Sequence, residues 1–296
     1  MTDQHRAAGP WRFGMLLLGN ASLALGAMFV RMADTGPVAA GFWRLALALP
    51  LIAFFALREE RGSAPFFPPR TTLLLALGAG VAFGLDIASW HLGIERTRLG
   101  NATVFGNSGS IVVIAWGLLL ARRWPRGTEI VAIAAALGGA AMLMGGSLEL
   151  SHRNFVGDLL SLLAGMLYAA YILLLRHVRT GMGSWRLLTV SSLSATPVIL
   201  ACALLLGETI LPRDWTPLLL LALFSQIVGQ GALIWALGWF RPLVIGLALL
   251  TQPAVAALTG WLAYGETLSW LDVAGMVLMA AALVLARLAE ADETKA

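Results

Sequence analysis

Charged residues are scarce in this sequence of 296 residues: they make up 12% of the chain, about half of their share in an average soluble domain. Hydrophobic residues make up 59%, and the mean hydropathy is +0.81. A soluble fold could not bury so much apolar surface. Many apolar runs approach 20 residues, and a helix of about that length crosses the ~30 Å hydrocarbon core of a bilayer. The composition therefore predicts an integral membrane protein built of helices.

Cysteine and lysine each occur once. Cys202 alone can form neither an internal disulfide nor a cysteine metal cluster, so we expect no metal and no cofactor. Lys295 is the only lysine, and no P-loop motif occurs, which argues against ATP-driven pumping by this chain. The net charge of +4 comes from arginines in short connectors. Because they do not line one helix face, they indicate membrane topology and no nucleic-acid binding.

Glycine, proline and charge clusters divide the apolar sequence into ten predicted spans, numbered one to ten along the chain. They cover residues 13–32, 38–57, 72–93, 100–121, 128–146, 156–176, 184–206, 217–238, 242–262 and 270–288. If the N-terminus is inside, fourteen of the 20 Lys and Arg residues lie on the inner side and five on the outer side. Because cytoplasmic connectors are enriched in Lys and Arg, we expect a multi-pass protein of the cell inner (plasma) membrane with both termini in the cytoplasm.

The two halves of the chain are related by an offset of 145 residues. Trp90 and Gly93 at the end of span three match Trp235 and Gly238 at the end of span eight. A unit of five spans is odd, so the second copy must enter the membrane the opposite way round, as in the inverted repeats of many secondary transporters. The predicted organisation is a cytoplasmic tail at 1–12, a first five-helix repeat at 13–146, a connector at 147–155, a second repeat at 156–288 and a cytoplasmic tail at 289–296.

Spans four and nine carry the polar and helix-breaking residues that are expected at a midplane substrate site. The offset of 145 pairs Asn107 and Ser108 with Gln252 and Pro253, all near mid-membrane. Pro253 has no N–H to donate, so it frees the Leu249 carbonyl close to the Gln252 amide. We predict that these groups line a polar solute site. The alternative is that the polar side chains only form interhelical hydrogen bonds.

Other polar residues within spans complete the predicted substrate-binding set. Asp86 is the one carboxylate well inside a span; it either binds a substrate ammonium or exchanges a proton, or it is a neutral or paired structural acid. Gln226 and Gln230 are i,i+4 neighbours on one helix face, which we expect to point into the bundle or a watery cavity. The remaining predicted binding residues are Asn101, Tyr168 and His91.

Two tryptophans and one arginine are ambiguous from the sequence. The topology puts Trp90 near the outer surface and Trp235 near the inner surface, where they could act as matching gates or as interfacial anchors. Arg44 lies on the outer side of span two, against the positive-inside bias. We give Arg44 a structural role, in which it pairs with Asp34 or Glu95 or extends its charge to the interface.

An intramembrane protease is one alternative function. The run from Gly106 to Gly109, with Ser108 at its third position, is similar to the Gly-x-Ser-Gly motif of rhomboid proteases. That chemistry needs a histidine base on another helix. His152 and His177 lie near membrane surfaces, and His91, which precedes Ser108, lies at a span end. Because this alternative leaves the duplication unexplained, we expect a transporter and no enzyme, with a solute channel as a further alternative.

Two short motifs carry a family resemblance: Phe42-Trp43-Arg44-Leu45 in span two, and Gly265-Glu266-Thr267-Leu268 in the turn before span ten. Because of these motifs and the repeat, residues 13–288 resemble the drug/metabolite transporter superfamily with two EamA-type repeats. The resemblance implies an all-α polytopic membrane protein, with ten transmembrane helices as two five-helix inverted repeats around a central cavity. Spans one to four and six to nine would line the cavity. The first half lacks the Gly-Glu turn, so Glu266 is given a structural role only.

Within the superfamily the chain most resembles the YddG group, whose members export aromatic and other neutral amino acids and some aromatic drugs. That resemblance implies export by alternating access. An aromatic solute would suit a cavity with Tyr168, Tyr171, Trp90 and Trp235, through stacking or cation–π contacts. The expected partners are an amino acid or aromatic metabolite as substrate and the lipid bilayer, and the sequence leaves a homodimer open.

Overall fold

A computed structural model describes residues 10–59, 68–97, 102, 105–122, 124–144, 154–179, 181–264 and 267–293. Within these ranges every regular element is a helix. The helices form ten apolar segments in the predicted order. Seven segments are long and apolar enough to cross a membrane, and three are shorter: Ser108–Leu120, Gly127–Leu143 and Trp270–Ala286. The predicted all-helical membrane fold is confirmed.

Most helix bounds lie close to the predicted ones. Five spans are single, uninterrupted helices. They are spans two, three, five, six and seven: Pro37–Arg58, Arg70–Arg96, Gly127–Met144, Phe155–Val178 and Ser184–Leu205. Span ten, Trp270–Glu293, continues into the predicted C-terminal tail because Ala, Leu and Glu favour the helix there. Span one likewise begins earlier than predicted, at Pro10, a residue that suits the first helical position.

The two repeats are interrupted at corresponding places. In span four the helix Ser108–Ala121 follows a turn at Asn107. In span nine the helices Pro242–Leu249 and Gln252–Tyr264 flank a turn at residues 250–251. The offset of 145 pairs Asn107 with Gln252, so both breaks fall where the sequence predicted the polar midplane. Span one is also broken, into Pro10–Ala24 and Gly26–Met32.

Span eight contains a π-helix that the hydrophobic pattern did not predict. It consists of Thr216–Leu220, the π-helix Leu221–Gln230 and Gly231–Ala236. π-Helical turns are rare and are frequent at functional sites. Gln226 and Gln230 both lie in this segment and are buried, at 0% and 1% exposure, as expected for a face that avoids lipid.

Small residues bring span three close to its neighbours. A β-carbon at Gly80 would lie 2.0 Å from the carbonyl oxygen of Ser191, and one at Gly84 would lie 2.9 Å from that of Ala195. Close backbone approach of this kind provides van der Waals packing between helices in lipid, where the hydrophobic effect contributes little. Span seven is therefore held directly against span three.

Spans five and ten pack on each other through glycine. A β-carbon at Gly139 would lie 2.6 Å from the carbonyl oxygen of Gly275, and one at Gly275 would lie 2.8 Å from that of Gly139. Small residues explain the contact, because larger side chains here would separate the backbones.

Spans two and seven run antiparallel, and each is followed by a glutamate that caps the other helix. Glu59 accepts hydrogen bonds from N–H groups in the first turn of span seven, including that of Arg186 at 3.2 Å. Glu208 accepts from the first turn of span two, including the Ala39 N–H at 2.7 Å. Carboxylates at helix N-termini satisfy free N–H groups and interact favourably with the helix dipole. These reciprocal caps join the two repeats at both ends of the bundle.

We expect Glu59→Gln and Glu208→Gln each to lower the melting temperature of the purified protein by about 2–4 °C, because each loses about 1 kcal/mol of charge-assisted capping. The two effects should add, since a 22-residue helix separates the caps by about 33 Å. The matched control is Glu95→Gln, because Glu95 is exposed. Thermal melts in which either cap variant matched this control would contradict the prediction.

Candidate functional site

A cavity of about 470 Å³ lies between the two halves of the bundle. Arg31 and Thr267 form part of its rim and are exposed, so the cavity opens at that end. In the predicted topology this is the outer face. The polar side chains deeper in the cavity are Arg44, Asp86, His91, Asn107, Ser110, Tyr168, Gln230 and Gln252.

The wall of the cavity differs in part from the one that the family resemblance implies. Spans one to four, six, eight and nine contribute as expected. Among the described residues, however, none of the lining comes from span seven, whereas Leu143 of span five and Asp272 of span ten line the rim. The physical reason is the close packing of Gly80 and Gly84 on span seven, which keeps that helix behind span three.

Asn107 and Gln252, the predicted midplane pair, both line the cavity at the two helix breaks. The break in span nine agrees with Pro253, which has no N–H to close a helical turn and disfavours helix before it. At this break the Thr251 hydroxyl accepts a hydrogen bond from Asn20 Nδ2 at 2.8 Å, which ties it to span one. The arrangement brings two amide side chains to one cavity, each at a helix break, and their binding role stays a prediction.

Ser108, the neighbour of Asn107, does not line the cavity. Within the described chain it is absent from the cavity lining; its Oγ lies against Gly165 of span six, where a β-carbon would be 2.4 Å away. Ser110 lines the cavity instead, because residues two apart on a helix point to nearly opposite sides. The Ser108 Oγ has no hydrogen-bond partner in the described part of the chain, so no described histidine activates it. The protease alternative therefore has no base among the described residues.

Arg44 lies in the cavity wall. Its Nε donates to Gln226 Oε1 at 3.0 Å, and Gln226 Nε2 donates to Ser192 Oγ at 3.0 Å. The predicted partners were wrong: in the described chain Asp34 accepts from a connector N–H, Glu95 is exposed, and neither pairs with Arg44. Gln226 is absent from the lining residues described, so its contribution to the site is to hold the guanidinium in place.

Asp86 lines the same cavity and lies within electrostatic reach of Arg44. In the described chain the two form no ion pair within 4.0 Å. Phe83 and Trp90 share the Asp86 face of span three, because they stand three residues before and four residues after it. His91 also lines the cavity, with 4% of its surface exposed. Span three therefore brings a carboxylate, an imidazole and two aromatic rings to the cavity.

Aromatic rings form one side of the cavity. Phe83 stacks on Tyr171 with the ring centroids 4.4 Å apart and 12° between the planes. Tyr168 lies beside both rings, at 6.5 and 5.9 Å. Phe83 and Tyr168 line the cavity, and Tyr171 is buried behind them with its hydroxyl 3.4 Å from Gln230 Oε1. The site therefore offers a flat apolar surface next to hydrogen-bonding groups.

Tryptophans close the opposite end of the bundle. Trp235 packs on Trp11 at 5.3 Å and on Trp239 at 6.0 Å, measured between ring centroids. The Arg12 guanidinium lies 3.5 Å from the Trp239 ring centroid, a cation–π contact. Trp90, the equivalent of Trp235 in the first repeat, lines the open cavity instead. The two equivalent tryptophans thus lie in different surroundings, and their role as gates stays a prediction.

Two arginines at the C-terminal end of span six make hydrogen bonds at the closed end of the bundle. Arg176 Nη1 donates to the Phe240 carbonyl at 2.5 Å, and Arg179 Nε donates to the Ile234 carbonyl at 3.3 Å. Burial lowers the pKa of Arg179, an effect that the nearby Glu59 opposes. Cations at the carbonyl end of a helix interact favourably with its dipole. The C-terminal end of span eight is therefore fixed to span six.

Two predicted residues, Asn101 and Glu266, lie outside the described residues, and their roles stay predictions. Sequence reasoning missed Phe83, Ser192 and Thr251. Serine, threonine and phenylalanine are common in membrane helices, so no local signal distinguished these three. Only their contacts with Tyr171, Gln226 and Asn20 show their place in the site.

The sequence matches the EamA-like transporter family over residues 11–145 and again over 155–288. An "Uncharacterized transporter" of Archaeoglobus fulgidus is 25% identical over 147 residues, which cover 49% of this chain and 50% of that protein. A solved structure described as "Crystal structure of protein" has a TM-score of 0.75 and 16% identity, and the match covers 96% of this chain and 97% of the other. At that identity the likeness shows the fold alone.

One family match in each half confirms the predicted fold of ten helices in two repeats. The family is one of transporters, which agrees with the expectation that the chain is no enzyme. The finer resemblance to the YddG group is not addressed by these matches. Because the two matches together cover nearly the whole sequence, this chain belongs to the EamA-like transporter family.

Proposed function

We propose that the protein is a secondary transporter or facilitator that exports small organic metabolites by alternating access. Its proposed substrates are aromatic and other neutral amino acids, and aromatic drugs. The observation that carries this proposal is the cavity between the two halves, which is open at one end and lined by charged, amide and aromatic side chains together. The substrate class also rests on the resemblance to the YddG group.

The size and chemistry of the cavity support a small organic solute. A volume of about 470 Å³ falls in the range of about 300–1,000 Å³ that is typical of small-molecule sites. Amide groups of Asn107 and Gln252 can accept and donate hydrogen bonds, whereas Phe83 and Tyr168 provide an aromatic surface. A simple inorganic ion would not need that surface, and a folded macromolecule would not fit.

The closed end supports alternating access over a continuous channel. The Trp235 cluster and the arginine contacts of span six occupy the end opposite the opening. A transporter needs such a barrier on one side of its site at a time, whereas an open channel needs none. In the proposed cycle Trp90 closes the outer side when Trp235 leaves its partners at the inner side.

The predicted topology assigns a side of the membrane to each end of the cavity. The arginine bias predicts both termini in the cytoplasm, and in that orientation the open cavity faces the outside and the tryptophan cluster faces the cytoplasm. Export then requires the opposite state, in which the site takes up solute from the cytoplasm. We place this activity in the cell inner membrane.

We expect the purified protein in liposomes to carry phenylalanine and tryptophan down their gradients faster than empty liposomes do. Flux is measured with radiolabelled solutes, with and without an imposed pH gradient. If Asp86 exchanges a proton, the gradient should change the flux of the native protein but not that of Asp86→Asn. Flux no greater than that of empty liposomes, for every amino acid and aromatic cation in the panel, would refute the transport proposal.

We also expect a cysteine in the cavity to be accessible from one side only. Ala257 lines the cavity, so Ala257→Cys in a Cys202→Ala background should react with a membrane-impermeant maleimide from the outer face, and phenylalanine should slow the reaction. Ala136→Cys is the control, because Ala136 is buried in span five at 0% exposure and should not react. Equal labelling of Ala257→Cys in spheroplasts and in inside-out vesicles would instead indicate a channel.

A further inference from the structure

We propose that Arg44 and Asp86 bind the two charges of a zwitterionic amino acid, Arg44 its carboxylate and Asp86 its ammonium. This inference rests on the proposed function and narrows its substrate class. It also changes the predicted role of Arg44 from a structural residue to a binding residue.

Arg44 lines the cavity, and one of its hydrogen-bond donors has no acceptor among the described residues. Its Nε is held by Gln226, which is itself held by Ser192. Its Nη2 is buried and has no acceptor within the described chain. Because an unsatisfied buried donor is unfavourable, and because a guanidinium matches a carboxylate in geometry and charge, a substrate carboxylate is the ligand that this group fits.

Asp86 supplies the opposite charge. The other cavity carboxylate, Asp272, is engaged at the N-terminus of span ten by the Ser269 N–H and hydroxyl at 2.8 and 2.7 Å. Asp86 forms no ion pair with Arg44 within 4.0 Å in the described chain, although the two interact electrostatically. Two opposite charges that face one cavity without direct contact leave room for a ligand that carries both.

His91 adds a further polar group to the cavity wall. Its Nδ1 is buried and has no hydrogen-bond partner among the described residues. A neutral imidazole nitrogen without a proton is an acceptor. The wall therefore offers an imidazole nitrogen in addition to the Asp86 carboxylate.

The side chain of the substrate has a place beside these groups. Phe83 and Trp90 flank Asp86 on span three, and the Arg44 guanidinium lies 5.5 Å from the Phe83 ring centroid. An aromatic amine would leave the guanidinium unpaired, and an aromatic acid would leave the carboxylate unpaired. Because unpaired buried charges are unfavourable, the cavity should prefer the amino acid over both truncated analogues.

The test compares the binding of three ligands to the purified full-length protein by isothermal titration calorimetry. The ligands are phenylalanine, phenethylamine, which lacks the carboxylate, and 3-phenylpropionate, which lacks the ammonium. The native protein should bind phenylalanine about tenfold or more tightly than either analogue. Arg44→Gln should lose the preference over phenethylamine and keep the preference over 3-phenylpropionate. Asp86→Asn should show the reverse pattern.

Controls separate this effect from misfolding. Arg213→Gln and Glu95→Gln remove one charge of each sign at exposed positions, and both should keep the native ratios. Each preference is a ratio of two affinities in one preparation, so a partly unfolded sample does not imitate its selective loss. Arg44→Lys keeps the charge and should retain part of the preference over phenethylamine.

The outcomes distinguish this inference from the proposed function. If the native protein binds the three ligands within about twofold, or if Arg44→Gln and Asp86→Asn weaken all three equally, the zwitterion site is refuted. Phenylalanine flux in liposomes would still support the transport proposal in that case. Absence of both binding and flux would refute both proposals.

Discussion

Polar groups inside a bilayer must find their partners within the protein, and the architecture of this chain depends on that constraint. Within the described spans, irregular backbone lies at places that border the cavity: the break in span one, the turn at Asn107, the break before Gln252 and the π-helix of span eight. At the break before Gln252, Asn20 of span one donates to the Thr251 hydroxyl, and in the π-helix Gln226 accepts from Arg44 of span two. The cavity is where the chain can leave the regular helix at low energetic cost.

The same constraint explains how a charge is kept within the membrane. Arg44 is fixed through Gln226 to Ser192, so spans two, eight and seven are joined by one line of side chains. Spans two and seven are joined again at both ends by the Glu59 and Glu208 caps. A guanidinium on such a rigid base has a defined direction, which is what recognition of a carboxylate requires.

The two repeats share a scaffold but differ in chemistry. The helix breaks and the reciprocal caps occur in both halves. Asp86 has no counterpart, because the offset of 145 pairs it with Gly231, where a β-carbon would lie 3.1 Å from the Trp185 ring. Duplication therefore supplies the symmetric frame, and span three supplies the Asp86 carboxylate, which the second repeat lacks at the equivalent position.

The sequence alone determined the membrane class, the ten spans, the duplication and the position of the two breaks. These features could be predicted because hydropathy, span length and the residues proline and glycine act locally. It also identified Asn107, Gln252, Asp86, Tyr168 and Gln230, which the structure brings to one cavity. The tertiary structure decided what depends on rotation and distance: Ser108 faces span six, Gln226 lies behind Arg44, and Arg44 belongs to the cavity. A helical sequence gives the order of its side chains, but the packing of neighbouring helices decides which of them meet.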